Sequence, residues 1–273
     1  MLISHIIVSQ QSLDSDDAYD IIMSNIDSLN EAFNRYLDYD DVSVAALQSY
    51  HVDYYLAQVE NGGFSQFVYN TRWDGKIVGW VRDGLIAMQA RKHAALFEKS
   101  AAILNQFTPE QLAQYLEGEY FGENHQRDSL SQFDDAFYSL NEREDLIEIN
   151  HQWLKKHPQL KVLDEAEIAD YLDQAATKIP NLEQRVEAAK KNQPRYFKII
   201  QALCAAVEQD LDEVTMGDPS HEYQGEQILA WHFLTEQGHF YMLDLGDKAQ
   251  MYQGESKELV VEIDLAPLEL TGE

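Results

Sequence analysis

YYLAQVENGGFSQFVYN, residues Tyr54–Asn70, holds a helical run that is interrupted at Asn61-Gly62-Gly63 and resumes in an aromatic segment. Glycine reaches the left-handed conformation that closes a helix without steric cost. The motif therefore predicts a tight helix-to-helix turn. Phe64 and Phe67 should return to the core, and Gln66 and Asn70 should tie backbone groups of the loop. On this reading the stretch is scaffold rather than binding site.

Working outward, helical punctuation dominates the first 215 residues. Apolar positions recur at helical spacing over 16–37 (Ile22, Ile26, Leu29, Phe33, Leu37) and 42–60 (Leu47, Tyr50, Tyr54, Val59). A long run from Gly79 to Leu104 repeats Val81, Leu85, Met88, Leu96 and Ile103. Thr108-Pro109-Glu110-Gln111 combines a threonine cap, a first-turn proline and a glutamine three residues on. Further helices are expected at 142–157, stopped by Pro158, and at 164–178, 181–192 and 195–214. Met216-Gly217-Asp218-Pro219 looks like a break. Beyond it, Ile228–Leu234, His239–Leu245, Ala249–Tyr252 and Glu258–Ile263 read as short strands, with Glu236-Gln237-Gly238 turning a hairpin. The expected fold is mainly α: a helical body with a small C-terminal α+β appendage built on an antiparallel sheet. The domain division expected is a helical domain over 1–192, then a helix and small sheet over 195–273, the helix packed on the sheet.

The 273 residues carry 20 Lys and Arg against 48 Asp and Glu, a net charge of -28. That sign excludes direct binding to nucleic acid or to an anionic membrane, both of which would repel the chain, and suits a basic partner. The charge is segregated. Residues 1–71 hold eleven acids and one base, residues 100–150 eleven and two, and residues 201–273 sixteen and two. Residues 72–99 instead hold three acids and six bases, and residues 151–200 seven and nine. A patterned field of this kind orients an approaching partner. The single Cys204, inside the apolar run 199–207, reads as a buried inert thiol and excludes an internal disulfide framework or a cysteine zinc cluster. The first residues, MLISHIIVSQQSLDSDD, lack the basic start of a signal peptide, and no segment has the ~20 apolar residues of a membrane span, so a cytoplasmic location is expected.

Tyr54–Asn70, with its Asn-Gly-Gly-Phe, Gln-Phe and following Asn, resembles the signature of the bacterial DNA-mimic protein family (the DMP nineteen family). A second block is similar to a later segment of that family: Phe133-Asp134-Asp135-Ala136-Phe137-Tyr138, then Glu144-Asp145-Leu146 and Trp153-Leu154-Lys155-Lys156-His157-Pro158. The resemblance covers about residues 20–175. It implies a helical fold, a homodimer in at least some members, and an acidic surface arranged like duplex phosphates that occupies the DNA-binding face of a transcription factor. The region after about 195 departs from the family core.

A DNA mimic must place carboxylates densely on rigid elements, because duplex DNA shows one charge per ~1.7 Å of axis and mobile side chains lose entropy on binding. Asp164, Glu167, Asp170 and Asp173 recur every third residue, a slowly winding row about 13 Å long at the helical rise. Glu142, Asp145 and Glu148 form a shorter row. Asp14, Asp16, Asp17 and Asp20, then Asp38, Asp40 and Asp41, then Glu208, Asp210, Asp212 and Glu213 are further clusters. Each cluster alone also fits a solvated helix face or a cap. Neither aspartate-rich loop near the N-terminus has the sixth-position glycine of an EF-hand.

No P-loop, dinucleotide fingerprint, nucleophile elbow or His-Glu-x-x-His motif is present, so no catalytic residue, cofactor or metal site is assigned. His151 and His157 stand six apart and should diverge, whereas His232 and His239 flank the expected hairpin turn and are placed to face each other. The reading favoured is an acidic DNA mimic that blocks a basic DNA-binding protein, a transcription factor or nucleoid protein. Two alternatives are an immunity-type inhibitor of a nuclease toxin, and an enzyme or metal-binding protein using the C-terminal sheet with His221, His232 and His239.

Overall fold

The computed structural model describes residues 1–268. The order of elements is β1 (Ile6–Ser9), α1 (Gln10–Asp14), α2 (Ala18–Asn34), α3 (Val44–Thr71), α4 (Gly75–Ala87), α5 (Arg91–Ala101), α6 (Pro109–Glu117), α7 (His125–Leu130), α8 (Asp134–Asn141), α9 (Leu146–Lys156), β2 (Leu160–Leu163), α10 (Glu165–Ala176), α11 (Leu182–Asn192), α12 (Arg195–Ala206), and then β3 (Leu211–Tyr223), β4 (Glu226–Thr235), β5 (Gly238–Asp244), β6 (Lys248–Gln253) and β7 (Leu259–Asp264). The protein is mainly α, with a five-stranded antiparallel sheet at its C-terminal end. It divides into two compact units, Met1–Leu182 and Glu183–Glu273.

Side-chain caps start many of the helices. Asp17 opens α2 by accepting the Tyr19 N–H at 2.9 Å, and Asp145 opens α9 by accepting the Ile147 N–H at 2.8 Å. At α6 the expected box forms in full: Gln111 N–H reaches Thr108 Oγ1 at 3.2 Å, and Thr108 N–H reaches Gln111 Oε1 at 2.9 Å. Each such cap satisfies an otherwise orphaned donor and contributes ~1 kcal/mol.

The apolar faces of these helices build two cores in the first unit. One gathers Tyr55, Phe64, Phe67, Val81, Leu85, Phe97 and Phe137 around α3. Gly84 lets α4 approach α3 closely, since a Cβ there would sit 2.8 Å from Val52. The other core packs Ile21, Ile22 and Leu29 of α2 against Ile6, Ile7, Val8, Leu47, Leu154 and Leu172. It includes a parallel pair, β1 with β2, in which Ile6 faces Leu160 and Val8 faces Val162. Parallel strands require a long crossover, and here the whole helical segment from α1 to α9 supplies it.

In the second unit the sheet order is β3-β4-β5-β6-β7. Its alternation is strict on β5. Phe240 and Met242 join Phe233, Ala249 and Met251 under Ile199, Ile200, Leu203 and Cys204 of α12, while Tyr241 and Leu243 face the other side. Cys204 is buried, as its apolar setting predicts, and burial pushes its thiol up to about 11. The hairpin at Glu236-Gln237-Gly238 forms as expected, with Gly238 at φ 116.

Four sequence expectations are corrected. The run from Gly79 to Leu104 is two helices, because Gln89 takes φ 61 and the Ala90 N–H turns back to Leu85 O at 2.9 Å. The helix expected over 195–214 ends at Ala206, where Glu208 takes φ 56 and Gln209 N–H closes on Cys204 O at 3.0 Å. Both stops use a non-glycine residue in the left-handed region, which leaves no glycine to read. Met216–Pro219 is no break but lies within β3; Pro219 falls in the register shift between Asp218 and His221 on an edge strand, where a missing N–H costs no ladder bond. Gln66 and Asn70 do not tie backbone: both donate to the side chain of Gln58, at 3.0 and 2.6 Å.

Candidate functional site

The glycine pair folds as a kink inside the 28-residue α3. Gly62 and Gly63 leave helical geometry at φ -158, ψ 22 and φ 80, ψ 178, after which the helix resumes. Phe64 and Phe67 enter the core at 2% and 0% exposure, as expected. The second sequence block and two tyrosines before it hold the kink. Asp134 Oδ1 accepts the Phe64 N–H at 2.9 Å, so the restarted helix is capped from α8, seventy residues away in sequence. Tyr138 donates to Val59 O at 3.0 Å, Tyr120 donates to Gly62 O at 3.0 Å, and Tyr115 donates to Ser65 O at 2.7 Å. Gly63 is required twice: by its positive φ, and because a Cβ would lie 2.0 Å from Asp134 Oδ2. Burial raises the Asp134 carboxyl, while the Phe64 N–H opposes that shift. With its polar groups committed internally, the motif is a clamp within the fold. Sequence reasoning quoted both blocks and missed that they meet.

The acids form the accessible chemistry. All the expected contact acids except Asp41 are exposed. Asp41 is corrected: it is 7% exposed, its Oδ2 accepts the Asp38 N–H at 3.1 Å, and its carbonyl accepts the Leu2 and Ile3 N–H groups at 2.7 and 2.8 Å. It anchors the N-terminal segment and presents nothing to a partner. Of the row on α10, Glu167 accepts the Asp164 N–H at 3.1 Å and Asp173 pairs with Arg35 at 2.6 Å, while Asp170 stands free. Asp14 receives Gln10, Asp20 receives Ser15, Asp40 N–H bonds Asp38, and Glu148 receives Gln152. Apart from Asp38, Asp41 and Asp173, the expected contact acids have no ion-pair partner among the described residues. Glu142 and Asp145 flank the α8–α9 turn, with Glu148 one turn into α9. Arg35, at the end of α2, pairs with both Glu31 and Asp173. Glu208 and Asp212 belong to the second unit, at the end of α12 and the start of β3.

Two titratable groups on α3, His51 buried and Asp53 half-buried, escaped the sequence reading. Burial pushes the His51 imidazole down to about 4, with Asp74 opposing; the ring stacks on Trp80 at 4.8 Å and neither nitrogen has a hydrogen-bond partner. Burial pushes the Asp53 carboxyl up to about 6, against a bond from the Tyr19 hydroxyl at 3.4 Å. Only their apolar helical neighbours hinted at this.

His232 and His239 do face each other, with Nδ1 and Nε2 2.9 Å apart. Their centroids lie 5.1 Å apart, the separation of two rings joined nitrogen to nitrogen in line. Lone pairs aimed head-on make an N–H···N hydrogen bond; a chelated ion needs them to converge on a third point. Burial, then His239, lowers the His232 imidazole. His221 stands by Tyr241, ring centroids 4.8 Å apart. Among the described residues no three His, Cys, Asp or Glu side chains are grouped to hold a metal ion. His151 and His157 diverge: His151 bonds Ala18 O at 2.9 Å, and His157 lies against Trp153 at 4.6 Å. No helix among the described residues is long and apolar enough to cross a membrane.

Residues 40–157 match the family model described as DMP19-like protein. No curated protein and no solved structure matches the chain. The matched segment runs from the loop before α3 through the kink, its Asp134 clamp and α9, and it contains the first sequence block and the second as far as His157. Over residues 40–157 the chain is similar to the DMP19-like protein family.

Proposed function

We propose that this protein is a DNA mimic: its acidic surface occupies the DNA-binding face of a basic transcription factor or nucleoid protein and blocks binding to DNA. The observation that carries this reading is the set of exposed carboxylates on the helices, caps and turns of the first unit, almost all without a counter-ion. A protein acidic merely for solubility gains from neighbouring lysines that form weak surface pairs; these acids are left unpaired, as phosphates are. For those on α2, α9 and α10, helical placement holds the backbone in position before a partner arrives, which lowers the entropy lost on binding. Exposed, unscreened charge also speeds encounter with a basic face.

The test is elution by DNA. The full chain is immobilised, exposed to native lysate at low salt, and washed with duplex DNA. Proteins released by DNA should themselves bind duplex DNA, and the free chain should inhibit that binding. Release by salt but not by DNA would overturn the reading.

A further inference from the structure

A cleft of about 410 Å³ opens in the first unit between α1, α2 and the start of α10. Four carboxylates line it, Asp20, Asp27, Glu31 and Glu165, and no lysine or arginine does. Asp20 is engaged by Ser15 and Glu31 by Arg35, but Asp27 and Glu165 have no partner among the described residues. Ser28 also lines the cleft; it is only 6% exposed and its hydroxyl has no hydrogen-bond partner there. That hydroxyl lines a space large enough for a side chain. All of these residues lie outside the matched segment, residues 40–157.

Resting on the reading of a basic partner, we infer that this cleft receives an arginine guanidinium from that partner. The acids are too dispersed to converge on one metal ion, which suits a planar polyatomic cation with donors on several edges. A guanidinium offers five N–H groups, sheds water more readily than an ammonium, and can bond two carboxylates and a hydroxyl at once. Met23 and Ile168 give its apolar stem a surface to lie on.

The probe is a capped glycine pentapeptide with a central arginine, titrated into the full chain while backbone amide resonances are followed. Saturable shifts are expected at Ser24, Ser28 and Glu165. Asp27→Asn with Glu165→Gln should weaken this binding about tenfold or more, whereas Glu117→Gln with Glu119→Gln, remote acids on and just after α6, should not. The same peptide with lysine should bind several-fold more weakly. Shifts spread over the acidic surface without saturation, equal loss in both variants, or equal response to lysine would each overturn the assignment. The wild-type titration decides even if a variant misfolds. DNA-eluted capture can succeed with this cleft empty, so the two readings fail separately.

Discussion

His51 and Asp53 stand two positions apart on α3 and respond to acid in opposite senses. His51 is held below its ordinary value of 6.5, at about 4, so the unfolded chain binds its proton first. Its contribution to stability is complete above the ordinary value and is lost as pH falls towards 4. Asp53 is held above its ordinary 3.8, at about 6, so the folded chain binds the proton first. Its contribution is complete below the ordinary value and is lost as pH rises through 6. Between about 4 and 6 the two slopes offset each other. Asp53→Asn should therefore stabilise the protein at neutral pH, by about 3 kcal/mol at most, with the gain fading as pH falls to 4. His51→Leu should gain relative to wild type as pH falls through the same window. Urea melts at several pH values check both; a gain that stays constant with pH contradicts the assignment. Neither shift was legible in sequence, because burial depends on which helices cover α3.

The kink clamp is the decisive local device at the scale of elements. Gly63→Ala adds a Cβ both at φ 80 and against Asp134, and should destabilise by ~2 kcal/mol or more. Asp134→Ala orphans the Phe64 N–H and should cost ~1–3 kcal/mol. Combined, the two changes should cost less than the sum, since the clash is gone while the backbone strain remains. Strict additivity in denaturant melts would show that the two sites are not coupled. The glycine pair, the caps at Thr108 and Asp145, and strands β4 to β7 could be read from sequence because their signals are local. The stops at Gln89 and Glu208 could not, because each uses a residue with no turn preference of its own. Nor could β1 and β2, two four-residue runs that become strands only by pairing across 154 positions. The Asp134 clamp was hidden for the same reason: residue types signal a cap to their own helix, and this one serves another.

For the whole molecule, the first unit carries both of its cores within Met1–Leu182, and a chain ending at Leu182 should melt cooperatively. A broad, uncooperative melt would mean that the C-terminal unit completes its fold. The acid clusters were all legible as composition and spacing. What sequence could not supply was which of them are already used: Asp41 by the N-terminal segment, Asp173 by Arg35, Glu167 by the start of α10. The cleft acids Asp27 and Glu31 lie on the same face of α2 as Asp20, at spacings of seven and four, a helical signal that could have found them. Changing Asp164, Glu167, Asp170 and Asp173 to Asn or Gln keeps the capping acceptors of α10 and removes charge. Stability should move by less than about 1 kcal/mol, the worth of the exposed Arg35 pair, while binding weakens.

The most direct test of mimicry is displacement. A partner recovered by DNA elution is bound to a fluorescent duplex, and the chain is added while anisotropy is followed at increasing salt. The account predicts full displacement of the duplex, with inhibition falling steeply as exposed charges are screened over ~8 Å, and with a shallower salt dependence for the α10 variant. A ternary complex of chain, partner and duplex, or anisotropy that rises when the chain meets the duplex alone, would contradict it.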